Sequence, residues 1–333
     1  MPIGDLSTLL VWGAVTAYAI ALVAYSTALA RVADAAARTQ RRPVAVGAGA
    51  AATTSAESPV TGPGRAAGIA RSTATLATAL LLGGVVLRGV AAGRWPTANM
   101  YEFTIVGILV AAVVFLAVRR TRTLPFVGVL VTGIAVLSLV VALNSFYLRA
   151  DAVQPALQSY WLVVHVSIAI AATGIFTVAF ATSMLQVLQE SRESGRSRLD
   201  RRWRVGDELR RSLRRWRITG PSWLWLRTVP SAVRLEALSF RLNAIAFVLW
   251  TLTLIGGAIW AEQAWGRYWG WDPKEVATFV AWVVYAAYLH ARTTRGWQGR
   301  RAAYLVYVGY AVVIANFTVV NLFVNGKHSY SGI

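Results

Sequence analysis

The sequence has 333 residues, of which 56% are hydrophobic and only 14% charged, and this composition excludes an ordinary water-soluble domain. A formal net charge of +19 is compatible with nucleic-acid binding, but here the basic residues fall between long apolar runs rather than among aromatic residues of one soluble face, so we expect no nucleic-acid partner. No cysteine is present, so the chain can form no disulfide, thiolate metal site or thioether link of its own.

Eight apolar runs are long enough to cross a membrane, which takes about 20 residues for about 30 Å of hydrocarbon. They predict an all-α polytopic membrane protein with about eight transmembrane helices, at residues 9–30, 73–93, 103–118, 125–143, 161–188, 241–260, 275–292 and 302–324. The first run has no basic segment before it and is followed by Arg31. We therefore interpret it as a transmembrane helix rather than as a cleaved signal peptide.

Arginine and lysine are distributed unevenly between the connections. The connections after the first, third, fifth and seventh runs carry 27 of the 33 basic residues. Basic connections are retained in the cytoplasm. This bias predicts that both termini and the loop 260–275 lie on the non-cytoplasmic side.

The apolar runs and the polar segments between them divide the chain into five parts. These are the first transmembrane helix (1–31), a flexible cytoplasmic linker (32–72), transmembrane helices two to five (73–189), a basic cytoplasmic segment (190–239), and transmembrane helices six to eight with the outer loop (240–333). The linker is rich in alanine, glycine, proline, serine and threonine, which predicts disorder. The basic segment alternates arginines with tryptophans, which is typical either of an amphipathic segment on anionic lipid or of a solvated loop that only fixes topology.

The loop 260–275, WAEQAWGRYWGWDPKE, is unusually aromatic. Five aromatic residues occur within twelve positions, namely Trp260, Trp265, Tyr268, Trp269 and Trp271. Tryptophans commonly form an interfacial belt at a membrane surface. The alternative is a cofactor platform of flat apolar faces, which the intervening glycines would let a planar group approach closely. The loop alone does not decide between them.

The end of this loop has the pattern of a helix start. Asp272 suits the N-cap position, Pro273 the first helical position, and Glu275 the third position after the cap. We therefore expect Asp272 to begin the seventh transmembrane helix.

Only three histidines are present, and they occupy two levels. His165 lies about 6 Å inside the start of the fifth run at 1.5 Å per residue, and His328 follows the eighth run, so both are predicted at the level of the tryptophan loop. Two neutral imidazoles facing one cavity are a common axial pair for haem iron. His290 lies about 23 Å deeper and cannot share their iron. Each histidine could instead be a satisfied polar residue in an apolar helix or, for His328, a solvated residue of the tail, although ionisable groups within spans are functional candidates.

Four motifs together resemble those of the CcsA/ResC family, the WWD-motif haem-handling proteins of cytochrome c maturation. They are P-T-x-N-x-Y-E at 96–102, L-x-S-Y-W-L-x-x-H at 157–165, W-G-x-Y-W-x-W-D-P-K-E at 265–275 followed by L-H-x-R at 289–292, and G-x-H-S-Y at 326–330. The resemblance extends from the second span to the end of the chain. The two long cytoplasmic segments have no counterpart in it.

The resemblance implies a site and an activity. The family's outer haem ligands match His165 and His328, and its deeper ligand matches His290, whose companion ligand a ResB/CcsB-like membrane subunit supplies. The implied binding residues for haem b are His165, His328, His290, Trp265, Tyr268, Trp269, Trp271 and Asp272. The implied activity is haem delivery across the membrane and covalent attachment to CxxCH motifs, as in a holocytochrome-c synthase (haem lyase). Its implied partners are that subunit, apocytochrome c and a thioredoxin-like thiol reductant, in the bacterial cytoplasmic membrane with the WWD loop on the outer face.

Several alternatives stay open at this point. Met184 is a possible internal ligand for the deeper site, although methionine more often fills gaps in a core. Arg267 and Lys274 are candidates to pair with haem propionates or simply to anchor the chain at the interface. The protein could instead be a haem exporter or chaperone for a separate ligase, a transporter of another solute, or a structural subunit. A transporter would favour discontinuous spans and a site near the midplane.

Overall fold

The computed structural model describes residues 2–41, 64–119, 125–150, 159–195, 197–200 and 206–328. Within these ranges all regular structure is helical, which confirms the all-α prediction. The α-helices are α1 (Ile3–Arg41), α2 (Arg65–Ala92), α3 (Met100–Arg119), α4 (Pro125–Ser145), α5 (Tyr160–Glu193), α6 (Asp207–Leu213), α7 (Ala232–Trp265), α8 (Pro273–Thr294), α9 (Arg300–Phe317) and α10 (Val319–Phe323). Three short 3-10 helices lie at Arg198–Asp200, Arg214–Trp216 and Pro221–Thr228.

Among the described residues, seven segments are long and apolar enough to cross a membrane, which supports a multi-pass membrane protein. They lie in α1, α2, α3, α4, α5, α7 and the continuous stretch of α9 and α10. The seventh predicted span, 275–292, is helical as α8 but is not among the seven. Tyr285, Tyr288 and His290 lie among its aliphatic residues and lower the mean hydropathy of the helix. The structure thus places a helix at each predicted span and leaves the membrane crossing of α8 a prediction.

Helix α5 is the centre of the bundle. It packs against α3, α4, α7 and α9. Its buried residues include Ala172, Gly174, Ala179 and Ala181, whose small side chains let neighbouring helices approach closely. Helix α1 pairs with α2 and α4, and α8 packs on α7 and α9. The starts of α3, α5 and α8 and the ends of α7 and α9 therefore gather at the end of the bundle that carries the tryptophan loop, which we call the loop end.

The predicted linker 32–72 is helical at both of its ends. Helix α1 continues to Arg41, and α2 begins at Arg65. The run of alanines at 35–37 has high helix propensity. The average composition of residues 32–72, from which the linker was predicted, does not show this local preference. Residues 42–63, the middle of the predicted linker, lie outside the described residues.

The basic segment 190–239 is partly built into the bundle rather than spread on a surface. Trp225 and Leu226 are buried in the core around α1 and α4, and the Trp225 ring stacks on Phe126 with centroids 5.2 Å apart. Trp216 is exposed, while its carbonyl accepts a hydrogen bond of 2.8 Å from the indole of Trp223. The alternation of arginine and tryptophan in the sequence does not indicate which tryptophans pack between helices. The contact of Trp225 with Phe126 was therefore not predicted.

Candidate functional site

A cavity that is partly open to the surroundings lies at the loop end. Residues from α3, α5, α7, α8 and α9, the tryptophan loop and the C-terminal tail line it. Five of the eight predicted site residues are among them, namely His165, Trp265, Tyr268, Trp269 and His328. The structure therefore brings together two histidines that are far apart in the sequence, at the level where both were predicted.

The His165 imidazole is oriented by a backbone carbonyl. It lies in the second turn of α5, whose start Ser159 caps by accepting a hydrogen bond from the Trp161 N–H. Its Nδ1 lies 2.9 Å from the carbonyl oxygen of Thr253 in α7. A carbonyl only accepts, so Nδ1 carries the proton and the lone pair of the neutral ring is on Nε2. The ring lies nearly parallel to that of Trp260, with an interplanar angle of 8° and centroids 6.3 Å apart.

The His328 imidazole is oriented by a carboxylate. Its Nδ1 donates to Asp272 Oδ2 over 2.7 Å, which again puts the lone pair of the neutral ring on Nε2. The ring contacts Trp265 and Trp260, with centroids 5.2 and 5.7 Å away. Metal-ligating histidines usually donate their second ring N–H to a carboxylate or a backbone carbonyl. Both histidines of the cavity have this arrangement.

Asp272 starts α8 and holds the tail at the same time. Its side chain accepts from the Lys274 N–H at 3.1 Å and from the Lys327 N–H at 2.6 Å, while Glu275 accepts from the Asp272 N–H at 3.0 Å. The predicted capping box is thus confirmed. Burial alone would raise the pKa of the Asp272 carboxyl, but the hydrogen bonds from His328, Lys327 and Lys274 outweigh it and lower the pKa to about 2. Asp272 itself does not line the cavity, so it reaches the site through His328.

The tryptophan loop is divided between two environments. Trp265, Tyr268 and Trp269 line the cavity, and Trp260 just before them is 1% exposed and also lines it. Trp271 is 77% exposed and lies outside the lining. Its φ of 57° is the one positive value of a non-glycine residue in the described part of the chain. One part of the loop can therefore form a platform, whereas Trp271 has the exposure of a belt residue.

The two candidate partners for propionates also differ. Lys274 lines the cavity, and its ammonium donates to the Asn316 carbonyl at 2.9 Å and to Asn321 Oδ1 at 2.8 Å. Arg267 is exposed, lies over Gly270, and is not part of the lining. Of the two, Lys274 is the cation placed to meet an anionic group inside the cavity.

A buried ion cluster, to which sequence analysis assigned no role, lies behind one wall of the cavity. Glu102 is 0% exposed and accepts from Arg88 Nε at 2.9 Å and from Arg94 at 2.7 Å. It also accepts from the Ala98 N–H at 2.9 Å, which fixes the turn whose residues 97–100 line the cavity. The signal was present in the sequence as Arg88 inside a predicted span, because an arginine there requires a partner.

His290 lies apart from this site. It is exposed on α8, does not line the cavity, and is 18 residues beyond Asp272, or about 27 Å along the helix. Met184 on α5 does not line the cavity either. Among the described residues, no group of three or more histidine, aspartate and glutamate side chains is placed to hold a bare metal ion.

Comparisons with known proteins identify what the chain is similar to. The family described as "Cytochrome C assembly protein" matches residues 95–328. The chain is 34% identical to the cytochrome c biogenesis protein CcsA of Parasynechococcus marenigrum (strain WH8102), over 79% of this chain and 86% of that one. It is 36% identical to CcsA of Prochlorococcus marinus (strain MIT 9303), over 77% and 81% of the two chains.

A solved structure is also similar. The cytochrome c haem lyase CcmF superimposes with a TM-score of 0.62 at 16% sequence identity. The match covers 95% of this chain but only 47% of the CcmF chain. At this identity the likeness concerns the fold alone.

Proposed function

The chain belongs to the CcsA family of cytochrome c biogenesis proteins, and we propose that it holds haem b in the loop-end cavity and attaches it to the CxxCH motif of apocytochrome c. One observation carries the proposal. His165 and His328 line a single cavity, and each ring donates its Nδ1 proton to an oxygen acceptor, which presents Nε2 as the metal-binding atom.

The rest of the cavity fits a porphyrin. Its lining is mainly apolar and includes the flat faces of Trp265 and Trp269, which suit a planar macrocycle. Lys274 supplies a positive charge in the wall, as a carboxylate such as a propionate requires. Trp271 and Arg267, which the sequence also suggested, are assigned no contact with haem in this proposal.

In the proposed reaction haem is a substrate, and the protein contributes position. Each cysteine thiol adds its S–H across one vinyl C=C bond and forms a thioether, so atoms and electrons balance without an added oxidant or reductant. The thiols must arrive reduced, which explains why a thioredoxin-like reductant is a proposed partner. The two imidazoles and the tryptophan walls hold haem in one orientation, so the vinyl groups meet the thiols in a defined geometry.

His290 is proposed to serve a second haem position at the opposite end of the bundle. It is exposed on α8 outside the cavity, and a ResB/CcsB-like subunit is the proposed source of its second axial ligand. With the loop end on the outer face of the bacterial cytoplasmic membrane, haem would pass from the His290 level outward to the His165 level. This direction agrees with the positions of the arginine-rich connections.

The experiment compares His165→Ala and His328→Ala with the parent chain, each co-expressed with the ResB/CcsB-like subunit and an apocytochrome c. We expect both variants to lose covalent holocytochrome c and to regain part of it when imidazole is added. Asn144→Ala, an exposed position on α4 outside the cavity lining, is the control and should behave as the parent chain. Normal holocytochrome c in both histidine variants would overturn the proposal.

A transfer assay with the purified complex separates the synthase from a haem exporter or chaperone. A purified complex that retains haem at the loop end and forms thioether bonds with reduced apocytochrome c supports the synthase. A complex that retains haem but transfers it only when a separate ligase is added would favour the carrier.

A further inference from the structure

Two adjacent glycines of α7 lie directly against His165, Gly257 against its ring and Gly256 against its Cα and Cβ atoms. A Cβ atom added at Gly257 would be 2.8 Å from His165 Cε1 and 3.0 Å from Nδ1. One added at Gly256 would be 3.4 Å from His165 Cβ. Cβ contacts below 3.0 Å are essentially never seen in proteins, so a side chain at Gly257 would have to displace the imidazole. Gly256 lets α5 and α7 approach, whereas Gly257 makes room for the ring.

The same two glycines also leave open the Thr253 carbonyl, which accepts the hydrogen bond from the His165 ring. The carbonyl of a helical residue points toward the residues three and four positions later, whose side chains normally flank it. For Thr253 these residues are Gly256 and Gly257. A carbonyl oxygen has two lone pairs, so the Thr253 oxygen can accept from the His165 ring while α7 continues unbroken from Ala232 to Trp265.

We propose that the Gly256–Gly257 pair is the positioning element for His165, and that Gly257 in particular fixes both the direction of the imidazole and the tautomer that presents Nε2 to the cavity. The inference rests on the proposed function only where it concerns haem, because the ring orientation is a property of this chain by itself. A small residue at 257 that served helix packing alone would contact the backbone of α5. Gly257 instead faces the three ring atoms Cε1, Nδ1 and Nε2 of His165, at 2.8, 3.0 and 3.6 Å from its added Cβ.

The first measurement needs no haem. The chain has three histidines, so the ¹⁵N imidazole signals of the full chain, purified with its membrane partner and labelled at histidine, can be assigned by replacing each histidine in turn. We expect His165 to show protonated Nδ1 and unprotonated Nε2 in the parent chain and to lose this pattern in Gly257→Ala. The control is Gly107→Ala on α3, where the added Cβ would have its nearest neighbour, Ile170 Cγ2, at 3.9 Å. An unchanged His165 pattern in Gly257→Ala would overturn the proposal.

The second measurement is haem retention during purification, followed by absorption spectroscopy. We expect Gly257→Ala to retain haem about 10–100-fold more weakly, the range found when the hydrogen-bond partner of a metal ligand is lost. In the His165→Ala background the same substitution should have no further effect, because it acts through the ring. An equal loss in both backgrounds would show a general packing defect and would also overturn the proposal.

Two further outcomes keep the test decisive. If Gly257→Ala fails to fold while the double variant His165→Ala/Gly257→Ala folds, the clash is with the imidazole and the proposal is supported. If the tautomer changes in Gly257→Ala but haem retention is the same in the parent chain and in His165→Ala, then the positioning role holds and the assignment of His165 to haem fails.

Discussion

The two ends of the bundle hold their histidines in opposite ways. At the loop end, His165 and His328 face one cavity, and a backbone carbonyl or a carboxylate fixes each ring. At the other end, His290 is exposed on α8 and lines no part of that cavity. One candidate haem position is thus assembled within a single chain, whereas the other is proposed to be completed by a partner subunit.

This contrast does not arise because the opposite end is loosely built. There, Glu236 on α7 pairs with Arg292 on α8 at 3.0 Å, and Glu190 on α5 pairs with Arg300 on α9 at 3.7 Å. Ion pairs therefore join α7 to α8 and α5 to α9 at this end. What distinguishes the loop end is a cavity lined by two histidine rings of fixed orientation.

The largest effect is expected for Asp272→Ala. This substitution removes the acceptor of His328 Nδ1 and of the Lys274 and Lys327 N–H groups at once. We expect loss of loop-end haem and of holocytochrome c comparable to that of His328→Ala, measured by haem stain and absorption. Asp272→Asn keeps a side-chain oxygen that can accept and should lose less. If Asp272→Ala retained haem like the parent chain, the anchoring of the tail would have no part in the site.

A large but end-specific effect is expected for His290→Ala. In the complex with the ResB/CcsB-like subunit, one haem signal should disappear while the signal of the loop-end pair remains. Without that subunit the substitution should change nothing, because His290 alone does not form a site. Loss of both signals in a complex that stays folded would contradict the independence of the two ends.

An intermediate effect is expected for Lys274→Met, which removes the cation from the cavity wall. A hydrogen bond that involves a charged group contributes about 1.5–3 kcal/mol, so we expect haem retention to weaken about tenfold or more. Arg267→Met is the matched control, because Arg267 is exposed outside the cavity lining, and it should leave retention unchanged. Equal losses in the two variants would indicate a general charge effect of the loop.

The smallest effect is expected for Trp271→Asn. Trp271 is exposed, and asparagine tolerates the left-handed backbone better than tryptophan does. We expect unchanged haem retention. The free energy of unfolding should change by less than about 1 kcal/mol, because substitutions at exposed positions usually have small effects on stability. Trp265→Ala, at a position that lines the cavity, should lower haem retention. A loss of haem in Trp271→Asn as large as in Trp265→Ala would place Trp271 in the site.

The sequence predicted what depends on local pattern. Hydrophobic run lengths located the helices, and the Asp272 to Glu275 spacing located the start of α8. The level of His165 followed from the rise per residue of a helix, and that of His328 from its place directly after the last apolar run. Each of these features depends on residues that are close together along the chain.

What could not be predicted depends on contacts between distant segments. The hydrogen bond between His165 and Thr253 joins residues 88 positions apart, and the one between His328 and Asp272 joins residues 56 positions apart. No local pattern indicates that Trp225 packs beside α1 and α4 while Trp216 is exposed. Such contacts are decided by the packing of whole helices.

The shared use of Asp272 has a thermodynamic consequence. The same carboxylate begins α8 and holds Lys327 and His328 of the tail. Docking of the tail and ordering of the first turn of α8 are therefore linked equilibria, and each favours the other by the same free energy. A ligand that binds His328 in the cavity would also stabilise the start of the helix whose far end carries His290, and a change that frays that first turn would weaken the binding of the ligand in return.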